Sequence, residues 1–367
     1  MPTMLDVARC AGVSVATVSH VLNGTRPVRE HTRQAVLDAV EELGYTPNTL
    51  ARSLVTSRTR SIGLAVSAIR NPYFTELLQG VEAAALEHGY GLLLADPHDD
   101  PHHERTVVQL LHERRVDGLI VAPSAQPAAL LAYLTRHGVP AVLLDRLADG
   151  PAGGSAGGSP RFDQVCAENA APTARLVGHL AGLGHRRIGL VAGLPGLSTT
   201  DERSAGYRQG LTAAGLPHDE RLVRHGDSTA TGAERATAAL LSLDAPPTAL
   251  VSGNNTMTLG VLRTLRDRGL SVPGDIALCC FDDFPWADLF SPRLTAVAQP
   301  GREIGATAVR VLLDRLDGPG RAPRTVRLPC DFVHRDSCGC PAPEAGSGPG
   351  RPVRRLQRAL PEEGTDS

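Results

Sequence analysis

At 367 residues and 38.6 kDa the chain is long enough for two or three domains, and 42% hydrophobic against 21% charged residues excludes a wholly disordered or fibrous protein. All 37 basic residues are Arg and none is Lys, which removes a Schiff-base lysine and a phosphate-loop lysine from consideration. The net charge of -2 hides an asymmetry: residues 1–60 carry seven Arg against five acids and the remainder 30 against 34, so any phosphate binding belongs at the N-terminus.

The first sixty residues read as short helices joined by tight turns. Thr3 and Asp6 make a capping-box start, and the first helix breaks at Ala11-Gly12-Val13. Ser14 can cap a second helix over Val15 to Leu22, whose buried stripe is Val18, Val21 and Leu22. Asn23-Gly24 ends it. After the Arg26-Pro27 turn, a third helix over about Glu30 to Leu43 puts Ala35, Val36, Ala39, Val40 and Leu43 on one face, and Gly44 stops it.

From Ser61 the period changes. Apolar strands SIGLAVS, YGLLLAD, DGLIVAP and PAVLLD alternate with helical stretches such as Phe74 to His88 and Glu104 to Arg115, a βαβ pattern that implies a parallel sheet. The Gly, Pro and Ser-rich run ADGPAGGSAGGSPR (148–161) interrupts it before strands resume at RIGLVAG, TALVSG and IALCCF, which makes two α/β lobes. The tail after Cys338 has no apolar period and reads as disordered. No apolar run approaches the ~18 residues of a membrane span, and MPTMLDVARC lacks a signal pattern, so a cytoplasmic, nucleoid-associated protein without membrane contact is expected. The seven cysteines form no regular framework and are expected to stay reduced.

Two short helices around Ala11-Gly12-Val13-Ser14 fit a helix-turn-helix, whose second helix enters the DNA major groove. The whole run MLDVARCAGVSVATVSHVLNGTRPVREHTRQAVLDAVEELGYTPNTLARSL closely resembles the headpiece of the lactose/galactose repressor family. That likeness continues through RSIGLAVSAIRNPYF, RVDGLIV, LGHRRIGLVAG, ERSAGYRQGL, VPGDIALCCFDD and PRLTAVAQP. It implies an all-α helix-turn-helix headpiece at 1–46, a hinge helix and linker at 47–60, and an α/β two-lobed core at 61–338 like a periplasmic binding protein, with Rossmann-like lobes and parallel sheets. The lobes are expected over about 61–160 with 295–322, and about 161–294 with 323–338. A disordered tail would follow at 339–367.

By the same resemblance Val15, Ala16 and His20 face base edges and Arg26 follows the helix toward DNA. His20 can donate to guanine, whereas Val15 and Ala16 offer only methyl contacts. Ser14, Thr17, Ser19 and Asn23 suit phosphates, although each of these side chains can equally cap a helix or face water. Asn48 to Val55 resembles the family's hinge helix, too short to be stable alone. Leu54 stands where the family wedges a leucine from each subunit into the minor groove; apart from the flanking Ala51-Arg52-Ser53 it would read as a core leucine.

In the body the resemblance implies a small molecule between the lobes. Asn71, Phe74, Asp145, Thr199, Arg203, Asn254 and Asp282 all lie just past strand ends, where open α/β sheets bind ligands, although the insertion blurs the alignment at Asp145. Trp286 stands open between ligand contact and core, and Phe74 has the same plain alternative. Arg203 and Asp282 can make charge-assisted hydrogen bonds to hydroxyls, so a sugar-like effector is expected. Where the purine-responsive branch carries an aromatic, HGDSTATG offers Ser228, which disfavours a purine; Asn255 stands where many relatives have Asp.

Other signals are set aside. The G-x-S-x-G match at Gly153 to Gly157 lies in the Gly and Ser-rich insertion rather than on a strand-to-helix turn, and no base pairs with it. His98, Asp99, Asp100, His102, His103 and Glu104 read as a helix start. Cys338-Gly339-Cys340 lacks a second ligand pair, so no metal and no cofactor are expected. RRLQRALPEE is too short for the leucine heptad helix of tetrameric relatives, which leaves a homodimer. The reading is a non-enzymatic regulator that binds a near-palindromic operator on double-stranded DNA, represses it, and responds to the effector. The alternative is a cytoplasmic carbohydrate-binding protein without DNA function.

Overall fold

The computed structural model describes residues 2–24, 26–45, 58–67, 71–148 and 161–340. The expected hinge helix with Leu54, the Gly-rich insertion from 149 to 160 and the tail from 341 lie outside them.

Three helices open the chain: α1 (Met4–Cys10), α2 (Val15–Asn23) and α3 (Glu30–Leu43). Their limits follow local chemistry. The Thr3 hydroxyl accepts the Asp6 amide while the Asp6 carboxylate accepts the Thr3 amide, and Gly24 and Gly44 close α2 and α3 in the left-handed region, where a side chain is strained. Val7, Ala8, Val18, Val36, Ala39 and Tyr45 form a small core of their own.

The body comprises two six-stranded sheets. The first-lobe elements are β1 (Ser61–Ala65), α4 (Pro72–Glu87), β2 (Gly91–Ala95), α5 (Pro101–Glu113), β3 (Gly118–Val121), α6 (Ala128–His137), β4 (Ala141–Leu144) and β5 (Asp163–Ala167). The second lobe follows with α7 (Ala170–Gly182), β6 (Ile188–Ala192), α8 (Ser198–Ala213), β7 (Val223–His225), α9 (Ala230–Leu241), β8 (Ala249–Ser252), α10 (Asn255–Asp267), β9 (Ala277–Phe281) and β10 (Thr295–Ala298). Helix α11 (Gly301–Asp317) and β11 (Thr325–Leu328) return to the first lobe, and β12 (Asp331–Val333) ends in the second. The strand orders are β11-β5-β4-β3-β1-β2 and β12-β10-β9-β8-β6-β7, parallel except where β12 pairs antiparallel with β10.

These pairings correct the expected lobe boundaries. Residues 163–167 belong to the first lobe because β5 pairs with β4, so the Gly-rich insertion joins two strands of one sheet rather than two lobes. PRLTAVAQP belongs to the second lobe because β10 pairs with β9, and 325–328 belong to the first because β11 pairs with β5. The chain therefore crosses between lobes at 168–169, 299–300 and 329–330. Buried apolar strands of either sheet look alike in sequence, which is why the crossings were misplaced. Residues 339–340 also depart from the expected disordered tail: Cys340 packs on the second-lobe core.

Helices α4 and α11 approach so closely that a β-carbon at Gly80 would fall inside the contact radius of the Arg302 carbonyl oxygen, and one at Gly305 inside that of Leu77. This contact fixes α4, whose first turn carries Tyr73 and Phe74 to the cleft side, against α11. Gly80→Ala is expected to destabilise the body by about 3 kcal/mol, since backbone atoms cannot step aside as a flexible side chain can. Denaturant unfolding followed by circular dichroism measures it.

Candidate functional site

In the headpiece the axes of α1 and α2 turn through 104° across a four-residue break, as two helices of a helix-turn-helix do. Val18 of α2 is fully buried, and at 100° per residue Ala16, Ser19, His20 and Asn23 fall within about 100° on the side away from it. Ser14, Val15, Ala16 and Arg26 are exposed; Thr17, Ser19, His20 and Asn23 are half-buried. Some polar capacity is already used locally: the Ser14 hydroxyl accepts the Thr17 amide at 3.1 Å, and Asn23 Nδ2 donates to Ser19 Oγ at 3.2 Å. Ser14 thus caps α2, as its plain alternative held. Arg26 and Arg33 line a shallow groove with His20 beside the end of α2, giving that face a positive rim.

Between the lobes lies a cavity of about 720 Å³. Asn71, Phe74, Asp145, Thr199, Arg203, Asn254 and Asp282 all line it. Parallel strands put their carboxyl ends at one edge of each sheet, and the two edges face one another here. Several of these side chains have structural duties as well. Asn71 caps α4 by accepting the Tyr73 amide and also accepts from Asn255 Nδ2 at 2.8 Å, a hydrogen bond from one lobe to the other. Asn254 caps α10 through the Met257 amide.

The polar centre is Arg203. Its Nε donates to Asn169 Oδ1 at 2.8 Å, one terminal nitrogen donates to the Gly253 carbonyl at 2.6 Å, and the guanidinium lies 3.7 Å from the Phe281 ring centroid. Asp282 is 4.0 Å away and accepts from Gln299 Nε2 at 2.6 Å. Across the cavity, Tyr73 Oη donates to Asp145 at 2.8 Å. Burial raises both carboxyls above the ordinary aspartate range; for Asp145 the Arg146 and Arg203 guanidiniums oppose it, and for Asp282 Arg203 and the Gln299 amide do. Burial, followed by the Asp145 charge, also pushes the Tyr73 phenol well up, so it serves as a hydrogen-bond donor. Within this otherwise well-paired network the buried Gln299 Oε1 has no partner among the described residues.

A profile for the lacI family of bacterial regulatory proteins matches residues 3–48, and one for a periplasmic binding protein-like domain matches residues 177–338. The HTH-type transcriptional repressor PurR of Yersinia pestis bv. Antiqua (strain Antiqua) is 36% identical over 97% of this chain and 100% of its own length. The chain belongs to the lacI family. PurR of Aliivibrio salmonicida (strain LFI1238) is 35% identical over 92% of this chain and 99% of its own. Among solved structures, the lac repressor dimer bound to operator and the anti-inducer ONPF superposes with a TM-score of 0.80 at 29% identity, covering 92% of this chain and 99% of that one. The transcriptional regulator CelR in complex with cellobiose gives 0.70 at 32% identity, covering 92% and 100%. As a lacI-family member the protein is a DNA-binding transcriptional regulator and not an enzyme. No single helix among the described residues is long and apolar enough to cross a membrane.

Trp286, which the sequence left open between ligand contact and core, takes neither place. Trp286 is 45% exposed and stands outside the cavity wall, its ring 5.5 Å from that of Phe284. Phe284 takes the interior position on that loop and leaves Trp286 on the outer surface. Several lining residues were not anticipated: Tyr73, Asp96, His98, Asp99, Arg146, Asp227 and Gln299. Asp96 and Asp227 follow strands just as the anticipated residues do, so the strand-end rule applied to YGLLLAD and VRHGD would have found them. The loop read as a helix start is one, with Asp100 accepting the His102 and His103 amides, but Asp99 in that loop pairs with buried Arg146 at the cavity wall, and Glu104 accepts from Ser124. Ser228, the residue noted in HGDSTATG, lines the cavity, and Asn255 spends its amide on Asn71.

Proposed function

We propose that the protein is a homodimeric repressor that grips a near-palindromic operator through two copies of α2 and is controlled by a sugar-like effector between the lobes. It would act in the cytoplasm, on the nucleoid. Val15, Ala16 and His20 are assigned to base edges, and Ser14, Thr17, Ser19, Asn23 and Arg26 to the backbone. Leu54, outside the described residues, is assigned to the minor groove by the family pattern. Asn71, Phe74, Asp145, Thr199, Arg203, Asn254 and Asp282 are assigned to the effector.

One observation carries the control mechanism. Arg203 and Asp282 each hold a residue of a lobe crossing, Asn169 at the first and Gln299 at the second. A ligand that hydrogen-bonds this pair therefore interacts with the segments about which the lobes turn. Such a ligand shifts the balance between lobe orientations only insofar as it binds one better, and the headpieces report that shift as DNA affinity.

A second reading, a purine effector, is favoured by the PurR relatives. Among the described residues the cavity gives it the aromatic rings of Tyr73, Phe74 and His98, all from the first lobe, with Ser228 on the second. Neutral mono- and disaccharides are expected to include one that raises the melting temperature by about 5 °C at about 100 times its Kd and changes affinity for a duplex selected from a random pool. If purines alone give that response, the sugar assignment is wrong. Failure to select any duplex sequence would reject the operator reading.

A further inference from the structure

The second lobe carries a cluster remote from the cleft. His179 lies near the end of α7, and α7 runs back to the start of β6, which places it at the sheet edge opposite the one that forms the cavity. There the segment after β12 folds against it. Cys340 Sγ is 3.5 Å from His179 Nε2, Cys338 Sγ is 3.3 Å from His334 Nε2, and the two sulfurs are 3.4 Å apart. All four donor atoms lie within 4.8 Å of one another.

We propose that His179, His334, Cys338 and Cys340 form a four-coordinate zinc site that ties the segment after β12 to α7. A tetrahedral ion with Zn–S bonds of about 2.3 Å and Zn–N bonds of about 2.0 Å separates its ligand atoms by about 3.3 to 3.8 Å, so small side-chain adjustments would close this arrangement around a metal. Two thiolates and two imidazoles suit zinc rather than magnesium or calcium, which take oxygen ligands. Cys338 is fully buried and Cys340 packs on the second-lobe core, so the ion would be shielded from water on its sulfur side and have no open position for a substrate. Binding would release a proton from each thiol and leave a neutral site, two thiolates against one divalent ion. At 3.4 Å the two sulfurs are not bonded to one another, and Cys338-Gly339-Cys340 finds its missing ligand pair only in the folded chain.

The test uses the full chain, purified without chelator or polyhistidine tag under reducing conditions. Elemental analysis is expected to give close to one zinc per chain, and cobalt substitution to give the sulfur-to-metal charge-transfer band with the intense visible bands of a tetrahedral site. His334→Ala removes an exposed ligand and Cys340→Ser a half-buried one; both should keep the parent circular dichroism and lower zinc affinity on the order of 100-fold or more. Zinc content and cobalt spectrum unchanged in both variants would overturn the site. So would a reduced parent chain that retains no metal after zinc loading and desalting, or one isolated two hydrogens lighter with a Cys338–Cys340 disulfide and no zinc.

Discussion

Asp282→Asn is expected to melt slightly higher than the parent at pH 7, by the equivalent of about 1 kcal/mol, while binding effector on the order of 100-fold more weakly. Burial raises the Asp282 carboxyl above its ordinary value of 3.8, so the folded chain keeps that proton to higher pH than the unfolded chain does. Between those two values the folded state binds more protons, and stability therefore falls as pH rises through the raised value; above it the full cost of the buried charge is present. Asparagine removes that slope and keeps an oxygen to accept from Gln299. Arg203 opposes the gain, but at 4.0 Å from Asp282 the pair makes no direct hydrogen bond, and Arg203 retains Asn169, the Gly253 carbonyl and the Phe281 face. On the proposed assignment the effector would lose a carboxyl acceptor, and that loss would set the larger effect. Melting curves from pH 4 to 8, with calorimetric titration of the effector found in the sugar screen, measure both. A large drop in melting temperature at pH 7 would mean that the Arg203 partnership outweighs the desolvation cost.

This opposition of stability and binding explains why the centre of the cavity was readable from sequence while its surroundings were not. Asp282 sits just past β9 and Arg203 near the start of the helix after β6, both strands whose apolar runs are unmistakable, and an ionisable residue there has little structural reason to be buried. Headpiece limits were readable for a different reason: capping by Thr3, Asp6 and Ser14 and the left-handed glycines at 24 and 44 are contacts within a few residues. Asn169 and Gln299 depend on which sheet receives each strand, a long-range choice that equally apolar strands do not encode locally. His98 and Asp99 reach the cavity by adopting positive φ, a conformation that non-glycine residues rarely signal in advance. His179 and Cys340 stand 161 positions apart, and no local pattern joins them.

In the headpiece, His20→Ala is expected to weaken binding to the selected operator by about 1 to 3 kcal/mol for each half-site, two half-sites per dimer, while leaving affinity for random duplex unchanged. The contrast with Arg26→Ala decides the assignment. His20 lies on the α2 face turned from the headpiece core, and its ring can donate to guanine O6 or N7, an interaction that exists at one base pair and is lost when that pair is changed. Exposed Arg26 follows the helix, where by the proposed assignment its guanidinium would meet phosphate whatever the sequence; its removal from both subunits should weaken all duplexes alike and reduce the salt dependence by about two counterions per dimer. Neither residue contributes to the headpiece core of Val7, Val18 and Val36, so both variants should keep the parent helicity and melting behaviour. Competitive titration of each variant against operators altered one base pair at a time provides the measurement. If His20→Ala weakens random duplex as much as the operator, His20 is a backbone contact, and the specificity of α2 rests on Val15 and Ala16.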